Sequence, residues 1–253
     1  MTRFEIDAGN PDPEGIAAFR EFGFVAARGL FTADEAAEFR EAALDCARNH
    51  PALGTGPIFS QYVNVWTRHE GMRRLTLHPR LRRMAGLLAG VPLRLWHDQI
   101  LIKQPRNQAA TEFHQDQPYW PHAQSTHPIS AWIALQDVPA ERGPMTFLPG
   151  SHRRTDLPAQ SLADKRSLFE VCPEFEYAPR VTVALRAGDC TFHHGRCAHM
   201  ATPNETDLAR VAHVVIFMDA GTRFDGKGHI VTDPLGLSPG DPLDGDLFPL
   251  ADG

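Results

Sequence analysis

The sequence of 253 residues lacks the features that would mark it as a membrane or secreted protein. It has no run of about 18 apolar residues, so we expect no membrane-spanning helix and no membrane partner. Its first residues contain no apolar stretch typical of a signal peptide. The four cysteines form no CxxC pair and no disulfide pattern, which is typical of free thiols in a reducing compartment. We therefore expect a cytoplasmic protein.

Basic residues are also in deficit, with 25 Lys and Arg against 31 Asp and Glu and a formal net charge of -6. Nucleic-acid binders usually carry a basic face and basic-aromatic stripes, so neither a nucleic-acid partner nor nucleic-acid demethylation is favoured. A small-molecule substrate fits this composition better. One group of arginines is interpreted as a solvated helix face, with an acidic carrier or the phosphates of coenzyme A as the alternative; it comprises Arg73, Arg74, Arg80, Arg82 and Arg83.

The N-terminal part, residues 1–92, is predicted to be mainly helical. A short amphipathic stretch covers Ile16–Phe22, and Thr32 with Glu35 forms a capping-box pattern that starts a helix over Ala33–Asn49. A further apolar stripe covers residues 81–88 and should end at Gly90.

After Gly90 the pattern changes to short segments that are rich in β-branched and aromatic residues and are separated by Pro and Gly. These predicted strands are 93–103, 110–116, 128–138, 144–149, 181–186, 189–194 and 210–219. No helix-length segment alternates with them, which favours an antiparallel sandwich or barrel. We expect one domain over 1–253, with a mainly β core at 93–220, an insertion at about 154–176 with a short helix near Ser161–Phe169, and an irregular tail at 221–253.

His114 and Asp116 form a His-x-Asp pair within a predicted strand. Side chains two residues apart point to the same face, so both can bind one metal ion. A second histidine from elsewhere would complete a two-His-one-carboxylate triad, the arrangement of non-haem Fe(II) oxygenases. Thirteen histidines supply candidates. The HExxH pattern of many zinc enzymes is absent.

Several ordered blocks, spanning about residues 14–219, are similar to motifs of the phytanoyl-CoA dioxygenase (PhyH) family, which belongs to the 2-oxoglutarate-dependent oxygenases. The blocks are Ile16–Phe31; Ile102–Pro105 with Glu112–Asp116; Ala131–Leu135 with Glu141–Met145 and Leu148–His152; and Gly188–Arg210. The resemblance implies a double-stranded β-helix, or cupin-like jelly roll, with flanking N-terminal α-helices.

The resemblance also implies an enzyme that uses Fe(II), 2-oxoglutarate and O2 to hydroxylate an unactivated C–H bond of a small organic molecule, with release of succinate and CO2. By the same likeness, His114, Asp116 and His199 would be the catalytic iron ligands, and Arg210 would bind the distal carboxylate of 2-oxoglutarate through its planar fork. The residues expected to line the cosubstrate pocket are Gln99, Trp132 and Thr111.

Three positions depart from the family pattern: Ala201 replaces a hydroxyl residue that touches the cosubstrate, Gln136 replaces an acid, and Arg142 replaces an Asn. Thr202 is a candidate to compensate for Ala201. Asp116 is intact, and because halogenating relatives lack this carboxylate, hydroxylation is favoured over halogenation.

Other histidines have simpler explanations. His193 and His194 lie near His199 in sequence, and we interpret them as polar packing rather than ligands. His97 and His213 are interpreted as core or rim residues, and His152 as part of a turn.

The substrate wall is expected to include Tyr119, Trp120 and Phe113, with Lys103 as a further candidate matched to a family lysine. The alternative function is a metal-binding jelly roll that is not an oxygenase, such as an isomerase, a hydrolase or a sensor; Arg210 argues against a sensor. The sequence indicates neither the substrate nor the oligomeric state, and acyl-CoA, small natural products and amino-acid derivatives all stay open.

Overall fold

The computed structural model describes residues 3–251, so four terminal residues of the expected domain lie outside the described part. Its helices are α1 (Pro13–Phe22), α2 (Ala33–Asn49), α3 (Glu70–Thr76), α4 (Pro79–Ala89) and α5 (Ser167–Val171). Its strands are β1 (Glu5–Asp7), β2 (Phe24–Arg28), β3 (Gly54–Thr55), β4 (Ser60–Val63), β5 (Leu93–Lys103), β6 (Thr111–His114), β7 (His122–Ala123), β8 (Ile129–Ala134), β9 (Met145–Phe147), β10 (Val181–Val183), β11 (Cys190–His194), β12 (His199–Ala201), β13 (Arg210–Asp219) and β14 (Arg223–Phe224).

The N-terminal helices begin and end where local signals place them. Thr32 and Glu35 form the predicted capping box at the start of α2, with each side chain bonded to the other residue's backbone N–H. Helix α4 ends at Gly90, whose φ of 70° is a left-handed conformation that favours glycine. The region 3–92 also supplies four short strands, β1 to β4, which the sequence did not predict as part of the sheet.

Two sheets face each other. The larger has eight strands in the order β1-β2-β11-β8-β13-β5-β4-β3, and the smaller has four in the order β10-β9-β12-β6. Apart from the parallel pair of β1 and β2, the paired strands of these two sheets are antiparallel. This is the expected jelly-roll arrangement with flanking helices.

Alternation along β13 separates two hydrophobic cores. Val211, Val215 and Phe217 pack in one cluster with residues of α1 to α4 on the outer face of the large sheet. Val214 and Ile216 belong to a second cluster that lies between the sheets. Because successive side chains point to opposite faces, one strand closes the helical layer and also lines the interior.

The insertion covers the outer face of the small sheet. Its helix α5 begins at Ser167, later than the predicted stretch from Ser161, and Leu168 and Phe169 pack against Phe113 and Leu148. The tail also packs on the body of the protein, because Leu243 and Phe248 are buried in the cluster between the sheets.

All four cysteines are buried free thiols, as predicted. Across residues 3–251, the longest helices are too short or too polar to span a lipid bilayer.

Candidate active site

Three predicted ligands converge between the sheets. His114 ends β6, Asp116 follows it, and His199 begins β12 directly opposite His114 in the antiparallel ladder. Asp116 Oδ1 lies 3.4 Å from His114 Nε2 and 3.7 Å from His199 Nε2. One ligand atom from each residue lies within 4.8 Å of the others, so the three residues can hold one metal ion. The two histidines come from different strands, and only strand pairing joins them.

The hydrogen bonds of both imidazoles suit metal binding. His114 Nδ1 lies 2.7 Å from the carbonyl oxygen of Glu112, and His199 Nδ1 lies 2.9 Å from that of Cys197. A carbonyl can only accept, so each Nδ1 carries the hydrogen and each Nε2 presents a lone pair to the centre. Burial lowers the pKa of His199 to about 3 despite the opposing effect of Asp116, so this ring stays neutral.

Asp116 is held as a carboxylate. Burial opposes its ionisation, but the neighbouring His199, His114 and His193 hold its pKa well below the usual range. Ser130 Oγ donates to its Oδ2 at 3.0 Å, and His193 Nε2 lies 3.5 Å from the same oxygen. Oδ1 therefore remains available to a metal. Two imidazoles that present Nε2 to the centre, together with one carboxylate, match the donor set that Fe(II) takes in oxygenases, so these residues fit the implied ion.

A buried cation lines the cavity that contains these three residues. Arg210, 1% exposed, starts β13, and its Nη1 donates to the carbonyl of Gly143 at 2.9 Å. Its Nε has no hydrogen-bond partner in the described structure, and its guanidinium carbon lies 5.1 Å from the ring centre of Trp132. Burial lowers the pKa of Arg210 to about 10, so it stays charged at neutral pH. A buried guanidinium with unused donors is a binding site for a carboxylate.

The cavity has a volume of about 430 Å³. The other predicted cosubstrate residues, Gln99, Trp132 and Thr111, line it together with Arg210. Tyr119 and Trp120, two of the four predicted substrate contacts, also line it.

The other two predicted substrate contacts, Phe113 and Lys103, do not line this cavity. Phe113 packs with Leu168 and Phe169 of the insertion, because it neighbours His114 in β6 and so points to the opposite face. Lys103 is fully buried beyond the cavity lining, and its amine donates to the carbonyls of Ala109 and Thr202 at 2.9 and 3.0 Å.

The other histidines that were considered as metal ligands lie in different positions relative to the cavity. His193 lines the cavity beside Asp116 but belongs to no group of described residues that could hold a metal. His194 faces away, with its Nε2 3.0 Å from the carbonyl oxygen of Thr126. His152 lies in the short 3-10 helix after Gly150, as expected for a turn residue. Thr202 does not line the cavity, so it does not replace the hydroxyl missing at Ala201.

Sequence reasoning missed several cavity residues. Gln61 on β4 donates to Gln99, and Ser130 on β8 supports Asp116. His97, interpreted as core or rim, lines the cavity, and so does His229 from the irregular tail. Ser130 precedes the recognised block Ala131–Leu135 by one residue, and strand alternation from Trp132 could have indicated that it faces inward.

Comparison with known proteins identifies relatives in both sequence and structure. Residues 19–212 match the family model described as phytanoyl-CoA dioxygenase (PhyH). Human peroxisomal phytanoyl-CoA dioxygenase is 26% identical over 167 residues, which cover 63% of this chain and 49% of that protein. The chain spans about half the length of the curated relatives it matches.

Several solved structures match almost the whole chain, including a carbocyclase and an epimerase. The non-haem α-ketoglutarate (2-oxoglutarate) dependent carbocyclase SnoK from nogalamycin biosynthesis is 37% identical, with a TM-score of 0.87 and coverage of 97% of this chain and 98% of that one. The epimerase SnoN in complex with Fe3+, α-ketoglutarate and nogalamycin RO is 34% identical, with a TM-score of 0.79 and coverage of 95% and 100%. The chain belongs to the phytanoyl-CoA dioxygenase family.

Proposed function

We propose that the protein is an Fe(II)/2-oxoglutarate-dependent oxygenase that oxidises a C–H bond of a small organic molecule, in the simplest case by hydroxylation. The observation that carries this proposal is the presence of Arg210, a buried cation with unused donors, in the same cavity as His114, Asp116 and His199. A structural metal site has no need of a carboxylate-binding group beside it. A 2-oxoglutarate site needs both.

Each residue then has a defined task. The Nε2 atoms of His114 and His199 and Oδ1 of Asp116 would hold the iron, which leaves positions open for ligands. Arg210 would bind the distal carboxylate of 2-oxoglutarate and so orient its keto acid end toward the metal. Iron, 2-oxoglutarate and O2 together would supply the oxidant that removes hydrogen from the substrate, with succinate and CO2 as co-products.

The walls of the cavity support this chemistry by excluding water. Met145, Ala201 and Val214 line it near the cosubstrate residues, and Leu101 and Ile216 continue the apolar lining. An apolar wall protects a strong oxidant from side reactions and positions the substrate by shape. The carboxylate of Asp116 fills the coordination position that a halide would need, so we do not propose halogenation.

A second outcome of the same C–H cleavage is supported by the relatives. Two solved structures that match nearly the whole chain are named as a carbocyclase and an epimerase. Both names describe products without net hydroxylation. Reaction under 18O2 separates the outcomes, because a hydroxylated product carries the label whereas an epimerised or cyclised product does not.

The substrate is proposed to be a free small molecule rather than a coenzyme A thioester. Arg74 and Arg80 of the arginine group form ion pairs with Glu38 and Glu35 of α2, which reduces the charge offered to phosphates.

Four buried free thiols agree with a reducing compartment, and we propose a cytoplasmic location.

The test measures succinate formation with Fe(II), 2-oxoglutarate and a panel of candidate substrates. Asp116→Ala should abolish it, whereas Asp246→Ala, at an exposed carboxylate, should not. Undiminished turnover in Asp116→Ala would contradict the ligand assignment. Anaerobic Fe(II) with 2-oxoglutarate should also give a weak visible charge-transfer band; its absence would favour the alternative of a jelly-roll metalloprotein that is not an oxygenase.

A further inference from the structure

Strand β5 carries a β-bulge beside the cavity. Leu95 pairs with Phe217 and His97 pairs with Ile216, so Trp96 has no partner residue in the ladder. Before the bulge, Leu95 packs on the helical side of the sheet. A bulge reverses the alternation of side chains and can aim a residue into a site. Here it turns His97 into the cavity.

The hydrogen bond of His97 defines what it offers. Its Nδ1 lies 3.3 Å from the carbonyl oxygen of Asp98, which can only accept, so Nδ1 carries the hydrogen. Burial lowers the pKa of His97 to about 3, and the ring is therefore neutral. Its Nε2 has no hydrogen-bond partner among residues 3–251 and is left as an acceptor.

His229 offers a hydrogen-bond donor where His97 offers an acceptor. The backbone N–H of Val231 donates to His229 Nδ1 at 3.2 Å, so this nitrogen carries no hydrogen. Burial lowers the pKa of His229 to about 4, and in the neutral ring the hydrogen lies on Nε2, which is a donor.

The loop that carries His229 is held in place. The backbone N–H of His229 donates to Asp233 Oδ1 at 2.8 Å, and Lys227 Nζ donates to the carbonyl of Pro118 at 2.9 Å. A donor fixed before binding loses less entropy when a ligand arrives.

The two rings lie side by side. Their centres are 5.7 Å apart with an angle of 33° between the planes, and both pack against Trp96, at 5.6 and 5.1 Å. One acceptor beside one donor is complementary to a hydroxyl group, which donates one hydrogen and accepts another.

The charges of the cavity restrict the ligand further. Among the described residues that line it, Arg210 is the one Lys or Arg and Asp116 is the one carboxylate. The proposed function assigns Arg210 to 2-oxoglutarate and Asp116 to iron. No lining Lys or Arg then remains for an anionic substrate, and many of the other lining residues are apolar.

We propose that His97 and His229 form a hydroxyl-binding pair that orients an uncharged, largely apolar substrate through one hydroxyl group. His97 accepts the hydroxyl hydrogen, and His229 donates to the hydroxyl oxygen. This inference rests on the proposed function, because it takes Arg210 as occupied by the cosubstrate.

The test compares three probes by titration calorimetry under nitrogen, on protein loaded with Fe(II) and 2-oxoglutarate. The probes are 1-naphthol, 1-methoxynaphthalene, which can accept but not donate, and the anion 1-naphthoate. The wild type should bind 1-naphthol about tenfold more tightly than the ether, since a missing hydrogen bond leaves the His97 acceptor unpaired. It should bind 1-naphthoate more weakly than 1-naphthol.

The variants separate the two roles. His97→Phe should reduce the preference for 1-naphthol over the ether to about one, and His97→Gln, which retains an acceptor, should restore it. His229→Phe should weaken both probes by a similar factor and keep the preference, because both accept from its donor. His127→Phe, at an exposed histidine outside the cavity lining, is the matched control and should bind like the wild type.

The charge-transfer band of the same samples distinguishes the two proposals. If the band forms but His97→Phe keeps the preference, the histidine pair is refuted and the proposed function stands. If the wild type binds no probe, or binds 1-naphthoate as tightly as 1-naphthol, the substrate class is refuted. If no band forms, the proposed function fails and the inference fails with it.

Discussion

Replacement of Arg210 by methionine should stabilise the cosubstrate-free protein and remove most of the stabilisation that 2-oxoglutarate provides. Without a carboxylate Arg210 is 1% exposed, and its guanidinium makes one hydrogen bond within residues 3–251, to Gly143. Burial lowers its pKa from 12.5 to about 10. That shift corresponds to about 3 kcal/mol of unfavourable desolvation. Removal of the charge should therefore stabilise the cosubstrate-free protein, by about 1–3 kcal/mol once lost packing on Trp132 is considered.

With 2-oxoglutarate this advantage of the variant should shrink by about 2–3 kcal/mol. Loss of one partner of a buried, hydrogen-bonded charge pair costs about 2–5 kcal/mol of binding free energy. The dissociation constant should then rise by a factor between about 30 and several thousand. At a ligand concentration about 100 times the wild-type Kd, the wild type gains about 2.7 kcal/mol of stability, and the variant should gain less than about 1 kcal/mol.

The assay is thermal unfolding of the Fe(II)-loaded protein under nitrogen, with and without 2-oxoglutarate. Arg142→Met is the control, because Arg142 donates to Thr206 and Asp137 outside the cavity lining. It should keep the full ligand-induced rise in Tm. If Arg210→Met also keeps that rise, Arg210 does not bind the cosubstrate and the reasoning is refuted.

Three further predictions concern the same cavity. Ser130→Ala removes the donor to Asp116 Oδ2 and should weaken Fe(II) binding by about 10-fold or more, as measured by metal titration. Thr111→Val should raise the KM for 2-oxoglutarate several-fold, because one hydrogen bond to the cosubstrate is lost. An unchanged KM would show that Thr111 does not contact the cosubstrate. In the metal-free protein, His97 is neutral when folded, with a pKa of about 3, and protonates near pH 6.5 when unfolded. Protonation of His97 in the unfolded state therefore lowers the free energy of unfolding as pH falls below 6.5, by about 2 kcal/mol at pH 5. Denaturant unfolding of His97→Phe should show a smaller loss of stability between pH 7 and pH 5 than that of the wild type.

The elements that follow local patterns could be predicted from the sequence. Helix α2 has the predicted bounds, Ala33–Asn49, because a capping box and a helical apolar stripe mark it. Strands β5 and β13 match the predicted 93–103 and 210–219. The three-residue strand β12 was not predicted, because it exists only through pairing with β6 and β9. Its bounds follow from distant partners rather than from its own residues.

The site divides in the same way. Spacing alone made the His114 and Asp116 pair a candidate for metal binding, although Asp116 lies after β6 rather than within it, whereas His199 was identified by the family resemblance. Alternation would have excluded Phe113 as a substrate contact, since it is adjacent to His114 in one strand. His97 could not be found by alternation, because the bulge at Trp96 reverses it, and no strand pattern extends to His229.

The ladder between β6 and β12 shows how the cosubstrate pocket accommodates its departure from the family pattern. Ala201 pairs directly with Thr111, and both line the cavity. Thr202 lies next in the chain, outside the cavity lining, and its hydroxyl is buried without a hydrogen-bond partner in the described structure. Directly opposed residues have Cβ atoms about 5 Å apart, so Thr111 can present a hydroxyl close to where the family has one. A comparison of β12 alone would count the Ala as a lost contact, whereas we expect Thr111, across the ladder, to supply that contact.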